Sequence, residues 1–375
     1  MRRKITYIVN VDWFFISHRL PLALAAREAG EEVLILTCDT GKIQSLRDQG
    51  LRAEHIPLDR ALSNPLAEFL NLLRLRRRLQ REKPDVVHCV ALKAVVLGGL
   101  AARLSGVPRI VLAVTGLGST FLGRSLKSRV WQWLMRQLLA WICAAPAVHV
   151  IVQNADDREG FGKQGLVPEE RLHLIRGSGV DTSRWTPGPE PDIAAAGFRV
   201  VLPARLLRDK GLGEFVAAAR ILQGRGLDKV RMILVGAEDL HNRSAITHAE
   251  VTAWVREGVV EWAGPREDMR EVYHGAHLVV LPSYREGLPK VLIEAGACAR
   301  ACVATDVPGC REIIRNSVNG LLIPPQQAEA LADAIETLYR NPGLRRQLGE
   351  AAREIVVREY DLRLVIDATR AVYGA

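Results

Sequence analysis

The chain reads as an α/β protein built from two doubly wound domains, and three observations on its 375 residues carry that prediction. Short β-branched runs alternate with longer helical patterns through the first half, the alternation stops at a Gly- and Pro-rich stretch, and it then resumes to the end. Strand followed by helix, repeated, makes a parallel sheet with covering helices. The strand-like runs of the first half are Ile5 to Val9, Val33 to Thr37, Val86 to Val90, Ile110 to Val114 and Val148 to Gln153, with helical segments such as Leu66 to Arg81 between them. The interruption is Arg176-Gly177-Ser178-Gly179-Val180-Asp181 and then Trp185-Thr186-Pro187-Gly188-Pro189-Glu190-Pro191, whose lack of periodicity marks a linker. Beyond it come Phe198 to Leu202, Met232 to Val235, Val259 to Trp262, Leu278 to Leu281, Cys302 to Thr305 and Leu321 to Ile323. These boundaries predict an N-terminal domain at 1–178, a linker at 179–197, a C-terminal domain at 198–358 and a C-terminal helix at 359–375, for which packing back on the first domain is open. The two domains are expected to face a central cleft, because ligands of such sheets sit beyond the carboxyl ends of the strands.

Composition narrows the class further. An apolar content of 48% with 25% charged residues suits a soluble globular chain and argues against disorder. Cys38, Cys89, Cys143, Cys298, Cys302 and Cys310 are scattered, mostly in apolar runs, without a Cys-x-x-Cys pair, and read as reduced cytosolic thiols. The opening Met1-Arg2-Arg3-Lys4 imitates a secretion signal, but the apolar part is short and runs into Asn10 and Asp12, so it predicts a first strand. No run reaches the roughly 18 apolar residues of a spanning helix.

The net charge of +9 is unevenly placed: residues 1–185 hold 27 Lys and Arg against 17 Asp and Glu, and the remainder holds 24 against 25. A basic first half favours an acidic partner, either a phosphorylated acceptor or an anionic membrane surface. No nucleic-acid-binding motif accompanies the charge, so nucleic acid is not expected. Arg124, Lys127, Arg129 and Arg136 are interleaved with Trp131, Trp133, Leu134, Leu138, Leu139 and Trp141. That pattern fits a helix lying among lipid headgroups, or a core-packing helix with a solvated basic edge. Arg74, Arg76, Arg77, Arg78, Arg81 and Lys83 form a second basic group.

The residues that point to chemistry lie in the second half. Glu286 and Glu294 stand eight apart in Pro282-Ser283-Tyr284-Arg285-Glu286-Gly287-Leu288-Pro289-Lys290-Val291-Leu292-Ile293-Glu294. Leu278 to Leu281 ends as a buried strand and Pro289 suits the first turn of a helix, so Glu286 falls in the loop and Glu294 inside the helix. Between them the Gly287 and Leu288 amides lie at the positive helix end, where anions are stabilised. Carboxylates bracketing a phosphate-friendly helix start suit a ligand with hydroxyls at both ends and phosphates in the middle, such as a nucleotide-sugar; the bland alternative is two solvated glutamates. Arg205 and Lys210, in the loop after Leu202, supply two cations to face a diphosphate and to stabilise the charge on a departing nucleotide. No Asp-x-Asp occurs, so no divalent metal or other cofactor is expected.

On these residues the chain resembles retaining glycosyltransferases of the GT-B class, in the family-four group of bacterial polysaccharide and lipid-linked-oligosaccharide enzymes. The likeness covers nearly the full length and also draws on Gly177-Ser178-Gly179-Val180-Asp181 and on Ala304-Thr305-Asp306-Val307-Pro308-Gly309 followed by Glu312 and Asn319-Gly320-Leu321. It implies two Rossmann-like domains, with Glu286 at the donor sugar, Glu294 at the ribose, and Arg205 with Lys210 on the diphosphate. It places Gly264-Pro265-Arg266 where such enzymes hold the base. In the first half, Val11 to Pro21 resembles a subgroup's opening loop, where His18 either meets the acceptor or caps its own helix. Relatives often carry a histidine before glycine where this chain has Thr115-Gly116-Leu117-Gly118, so Gly116 is expected to act through its backbone.

The reaction this implies is transfer of a hexose-type sugar, with retention, from a nucleoside diphosphate donor of the UDP type. Its acceptor is expected to be a polyprenyl-diphosphate-linked sugar or a polysaccharide, with the protein cytoplasmic and peripheral on the inner face of the cytoplasmic membrane. A nucleotide-sugar 2-epimerase of similar fold and a noncatalytic membrane-bound scaffold are the alternatives.

Overall fold

Every expected strand is present in the computed structural model, which describes residues 2–58, 65–114, 126–239, 242 and 244–374, with backbone alone for 126–128 and 130–132. The first sheet holds β1 (Lys4–Val11), β2 (Glu32–Cys38), β3 (Arg52–His55), β4 (Val86–Val90), β5 (Arg109–Val114), β6 (Val148–Val152) and β7 (Leu172–Leu174). They are all parallel, in the order β3-β2-β1-β4-β5-β6-β7. The second sheet holds β8 (Phe198–Pro203), β9 (Val230–Val235), β10 (Glu261–Trp262), β11 (Leu278–Leu281), β12 (Ala301–Thr305) and β13 (Leu321–Ile323), in the order β10-β9-β8-β11-β12-β13. Central strands such as β4, β11 and β12 are buried at every residue, as expected where helices cover both faces. Sequence patterning missed β3 and β7 because Arg52-Ala53-Glu54-His55 and Leu172-His173-Leu174 are short and partly polar.

The chain divides into two compact units, residues 1–178 with 365–375, and residues 179–364. Segment 179–197, expected as a linker, folds with the second unit. Its irregular backbone is held by arginines: Arg300 donates to the Pro189 carbonyl at 2.8 Å, Arg353 to that of Thr182 at 2.9 Å, and Arg345 pairs with Glu190 at 2.8 Å. Backbone carbonyls outside a ladder need other donors, and Arg300 and Arg353 supply them here. The last helix, Leu362–Tyr373, gives its residues from Val365 onward to the first unit.

His88 is a strand residue, in the central strand β4, and is fully buried. Its Nδ1 is 2.6 Å from the Tyr373 hydroxyl, which in turn donates to the Tyr7 hydroxyl at 3.2 Å. Burial, reinforced by the Arg19 cation, holds its pKa well below the ordinary 6.5. A histidine kept neutral by the fold takes up a proton only on unfolding, so its contribution to stability is present above about pH 6.5 and fades as pH falls below it. The urea midpoint is therefore expected to drop between about pH 7.5 and about pH 5.5, less steeply in His88→Asn. An equal slope in both proteins would contradict this.

Candidate active site

β8 and β11 are neighbours in the second sheet although two strands, β9 and β10, lie between them in the chain, so the loops leaving their carboxyl ends flank the point where strand order reverses. Open α/β sheets bind ligands at such a switch. The first loop runs from Ala204 to Gly211 and includes a 3-10 turn, Arg208–Lys210; the second runs from Pro282 to Pro289 and leads into the helix Lys290–Ala297. Two glycines let these segments approach their neighbours. Gly211 has φ +74°, and a Cβ there would lie 2.1 Å from the Pro282 carbonyl oxygen. Gly309, in the first turn of the helix Pro308–Ile313, braces the second loop from its other side: a Cβ would stand 2.5 Å from the Gly287 oxygen and 2.7 Å from that of Glu286.

Within this frame Lys210 Nζ donates to Glu286 Oε1 at 2.6 Å, with the two side chains 19% and 11% exposed. The structure thus joins two of the expected site residues directly, from positions 76 apart in the chain. Arg205 is in the same loop as Lys210 but pairs with Asp239, a residue that no pattern in the sequence singled out. Gly287 and Leu288 follow Glu286 and precede the helix, as expected. Glu294 is buried on that helix, accepting from the Tyr273 hydroxyl at 3.0 Å and pairing with Lys290 at 3.1 Å. Its company pushes the Tyr273 phenol well above its usual range, burial first and the neighbouring carboxylate second. A carboxylate has about four acceptor positions, so Glu294 keeps capacity for a ligand hydroxyl.

Gly264, at φ +68° after β10, accepts the Gly236 N–H at 3.0 Å, and Arg266 beside it is exposed. Gly116 lies outside the described residues. His18 belongs to the first unit, at the end of the helix Asp12–His18, where its ring stacks on Phe14 at 4.2 Å and Nδ1 lies 3.2 Å from the Phe14 carbonyl. A cavity of about 480 Å³ in the first unit, lined by Leu36, Glu54, His55, Ile56, Pro57, Arg74 and Arg78, holds none of these candidates, and its Arg78 is committed to Glu54.

Two further residues complete the loop frame. Tyr284 donates its N–H to the Asp209 carbonyl at 2.9 Å and its hydroxyl to Glu214 at 2.7 Å. Neither was identifiable from sequence, since a tyrosine and a glutamate 70 residues apart show no spacing signal.

Residues 197–341 match the family model described as "Glycosyl transferases group 1", and residues 4–154 match "Glycosyl transferase 4-like". The chain is 27% identical over 379 residues to the N,N'-diacetylbacillosaminyl-diphospho-undecaprenol alpha-1,3-N-acetylgalactosaminyltransferase of Campylobacter jejuni, covering 96% of this chain and 97% of that one. It is 30% identical over 327 residues to the alpha-maltose-1-phosphate synthase of Mycolicibacterium smegmatis, covering 78% and 79% respectively. Among solved structures, Anabaena HepE in complex with UDP matches with a TM-score of 0.78 at 19% identity, over 99% of both chains, a likeness in fold. Matching family models in both halves and relatives aligned along most of their length leave one conclusion: the chain belongs to the group 1, GT4-like glycosyltransferases and is a glycosyltransferase of GT-B fold.

Proposed function

We propose that this glycosyltransferase moves a hexose-type sugar, with retention, from a UDP-linked donor to a polyprenyl-diphosphate-linked sugar or glycan in cell-surface glycan synthesis. The observation that carries the reading is the Lys210–Glu286 pair at the switch between β8 and β11. In this reading Lys210 and Arg205 face the diphosphate, the Gly287 and Leu288 amides add the positive helix end, Glu286 meets the donor sugar and Glu294 the ribose. Gly264 and Arg266 are assigned to the base, Gly116 to a backbone contact with the donor, and His18 to the acceptor side. As the bond from the anomeric carbon to the diphosphate oxygen breaks, the acceptor oxygen bonds the same face and its proton passes to the departing phosphate. Fixed cations then stabilise the leaving group without a divalent ion. Support for the ligands comes from the diphospho-undecaprenol in the name of the Campylobacter relative and from the UDP bound to HepE.

Mass spectrometry of products from a panel of UDP-sugars offered with polyprenyl-diphosphate sugars tests this, the expected result being one added sugar unit. Epimerised donor in the absence of acceptor would instead indicate the 2-epimerase. Binding of UDP without turnover of any donor would leave a scaffold.

We also place the protein at the inner face of the cytoplasmic membrane. No described helix is long and apolar enough to cross a membrane. The helix Pro65–Glu82 exposes Leu66, Phe69 and Leu70, followed by exposed Arg74, Arg76, Arg77 and Arg81, and the helix Leu126–Cys143 exposes Trp133, Leu134 and Trp141. Arg124, Lys127 and Trp131 of the basic, Trp-rich pattern lie outside the described side chains. Apolar side chains beside arginines suit an anionic headgroup layer. The protein is expected to float with anionic vesicles and not with neutral ones; recovery in the soluble fraction with both would exclude this placement.

A further inference from the structure

We infer that Tyr284 and Glu214 are positioning residues that hold the Lys210 turn in register with the Glu286 loop, an inference that rests on the donor-site reading above. Tyr284 stands two residues before Glu286 and reaches across to the other loop at two points. Its N–H donates to the carbonyl of Asp209, the residue before Lys210, and its hydroxyl donates to Glu214, in the first turn of the helix Leu212–Gly224 that follows Lys210. One residue, by its backbone and its side chain, thereby ties the second loop to the turn that presents the lysine and to the helix that follows it. The turn Arg208–Lys210 is a short 3-10 segment, weak by itself. A second tie comes from Ser244, which donates its hydroxyl to Asp209 at 2.6 Å and accepts the Arg208 N–H at 2.8 Å.

Packing alone does not account for this pair. Among the described residues Glu214 Oε2 is buried without a hydrogen-bond partner, so the carboxylate is only half satisfied there. Burial and the Glu214 carboxylate together push the Tyr284 phenol up to about 12. The unmet oxygen works against stability, and apolar side chains of similar size would fill the space without that cost. What the polar pair adds is direction: a hydroxyl aimed at one oxygen fixes where the ring, and the backbone that carries it, can sit. The reward is at Lys210 and Glu286, whose 2.6 Å contact tolerates little displacement.

The test measures UDP affinity by calorimetry, together with the melting midpoint, for Tyr284→Phe and Glu214→Leu, each made in the full wild-type chain and in Lys210→Ala. In the wild-type chain each substitution is expected to weaken UDP binding about five- to tenfold while the midpoint moves by only a few degrees. In the Lys210→Ala background the same substitutions are expected to change it less than about twofold, because the lysine they position is gone. Should one variant fail to fold, the other carries the comparison. Wild-type UDP affinity in both variants, with Lys210→Ala weakened, would overturn the inference and leave the donor-site reading standing. Equal weakening with and without Lys210 would reduce the pair to a structural role and overturn it as well. If Lys210→Ala itself binds UDP like the wild type, the donor-site reading fails and this inference falls with it.

Discussion

Glu286→Gln is expected to fold like the wild type and to lose turnover by about 100- to 1000-fold, the scale seen when one preorganised polar contact to a transition state is removed. The argument is electrostatic. Glu286 is 11% exposed and shares its charge with Lys210 at 2.6 Å, so the carboxylate both contacts the site proposed for the donor sugar and fixes where the ammonium points. Glutamine keeps the shape and one acceptor but leaves the lysine without its counter-ion, so a diphosphate is held by a cation no longer aimed at it. Lys210→Ala is expected to show a comparable loss, and the double variant to be little worse than either single one, as for groups that act as a unit. Steady-state release of UDP from a turned-over donor is the measurement. Activity of Glu286→Gln within about threefold of the wild type would remove the pair from the chemistry.

Gly309→Ala is expected to damage activity more than stability, by about 100-fold, although residue 309 is assigned no contact with the donor. A methyl group at Gly309 would meet the carbonyl oxygens of Gly287 and Glu286 at 2.5 and 2.7 Å, and backbone cannot step aside as the end of a flexible side chain can. Relief must come from a shift of the loop that carries Glu286 or of the helix Pro308–Ile313. The loop yields first, being irregular, whereas the helix follows the fully buried strand β12. Displacing Glu286 by about an ångström forfeits the alignment on which the proposed chemistry depends. Comparing kcat/KM with the melting midpoint for Gly309→Ala checks the claim; unchanged kcat/KM would show that Gly309 does not place Glu286.

Some parts of the site were open to inspection of the sequence because their physics is local. Glu286 and Glu294 could be read as loop and helix residues, since Leu278 to Leu281 is apolar throughout and Pro289 marks a helix start; the structure has β11 at Leu278–Leu281 and the helix from Lys290. Arg205 and Lys210 follow β8 for the same reason. Partners were hidden wherever they are distant in the chain. Asp239 on Arg205, Tyr273 on Glu294, and Glu214 on Tyr284 are contacts between loops and helices of different strands, with spacings of 34, 21 and 70 residues that no periodicity encodes. His18 shows the opposite case. Its two readings, acceptor contact or own-helix cap, rest on identical sequence, and only the fold shows its ring on Phe14.

Alternation of β-branched runs with helical patterns by itself determined two parallel-sheet domains, because burial on both faces of a strand demands apolar residues at every position. The identity of the charged groups was likewise plain in the chain. Which cation meets which carboxylate was decided by tertiary structure alone. Strand order brings β8 beside β11, and the close approach permitted at Gly211 and Gly309 determines how near their loops come. An ion pair depends on distances of a few tenths of an ångström, and those are set by packing between segments far apart in the chain.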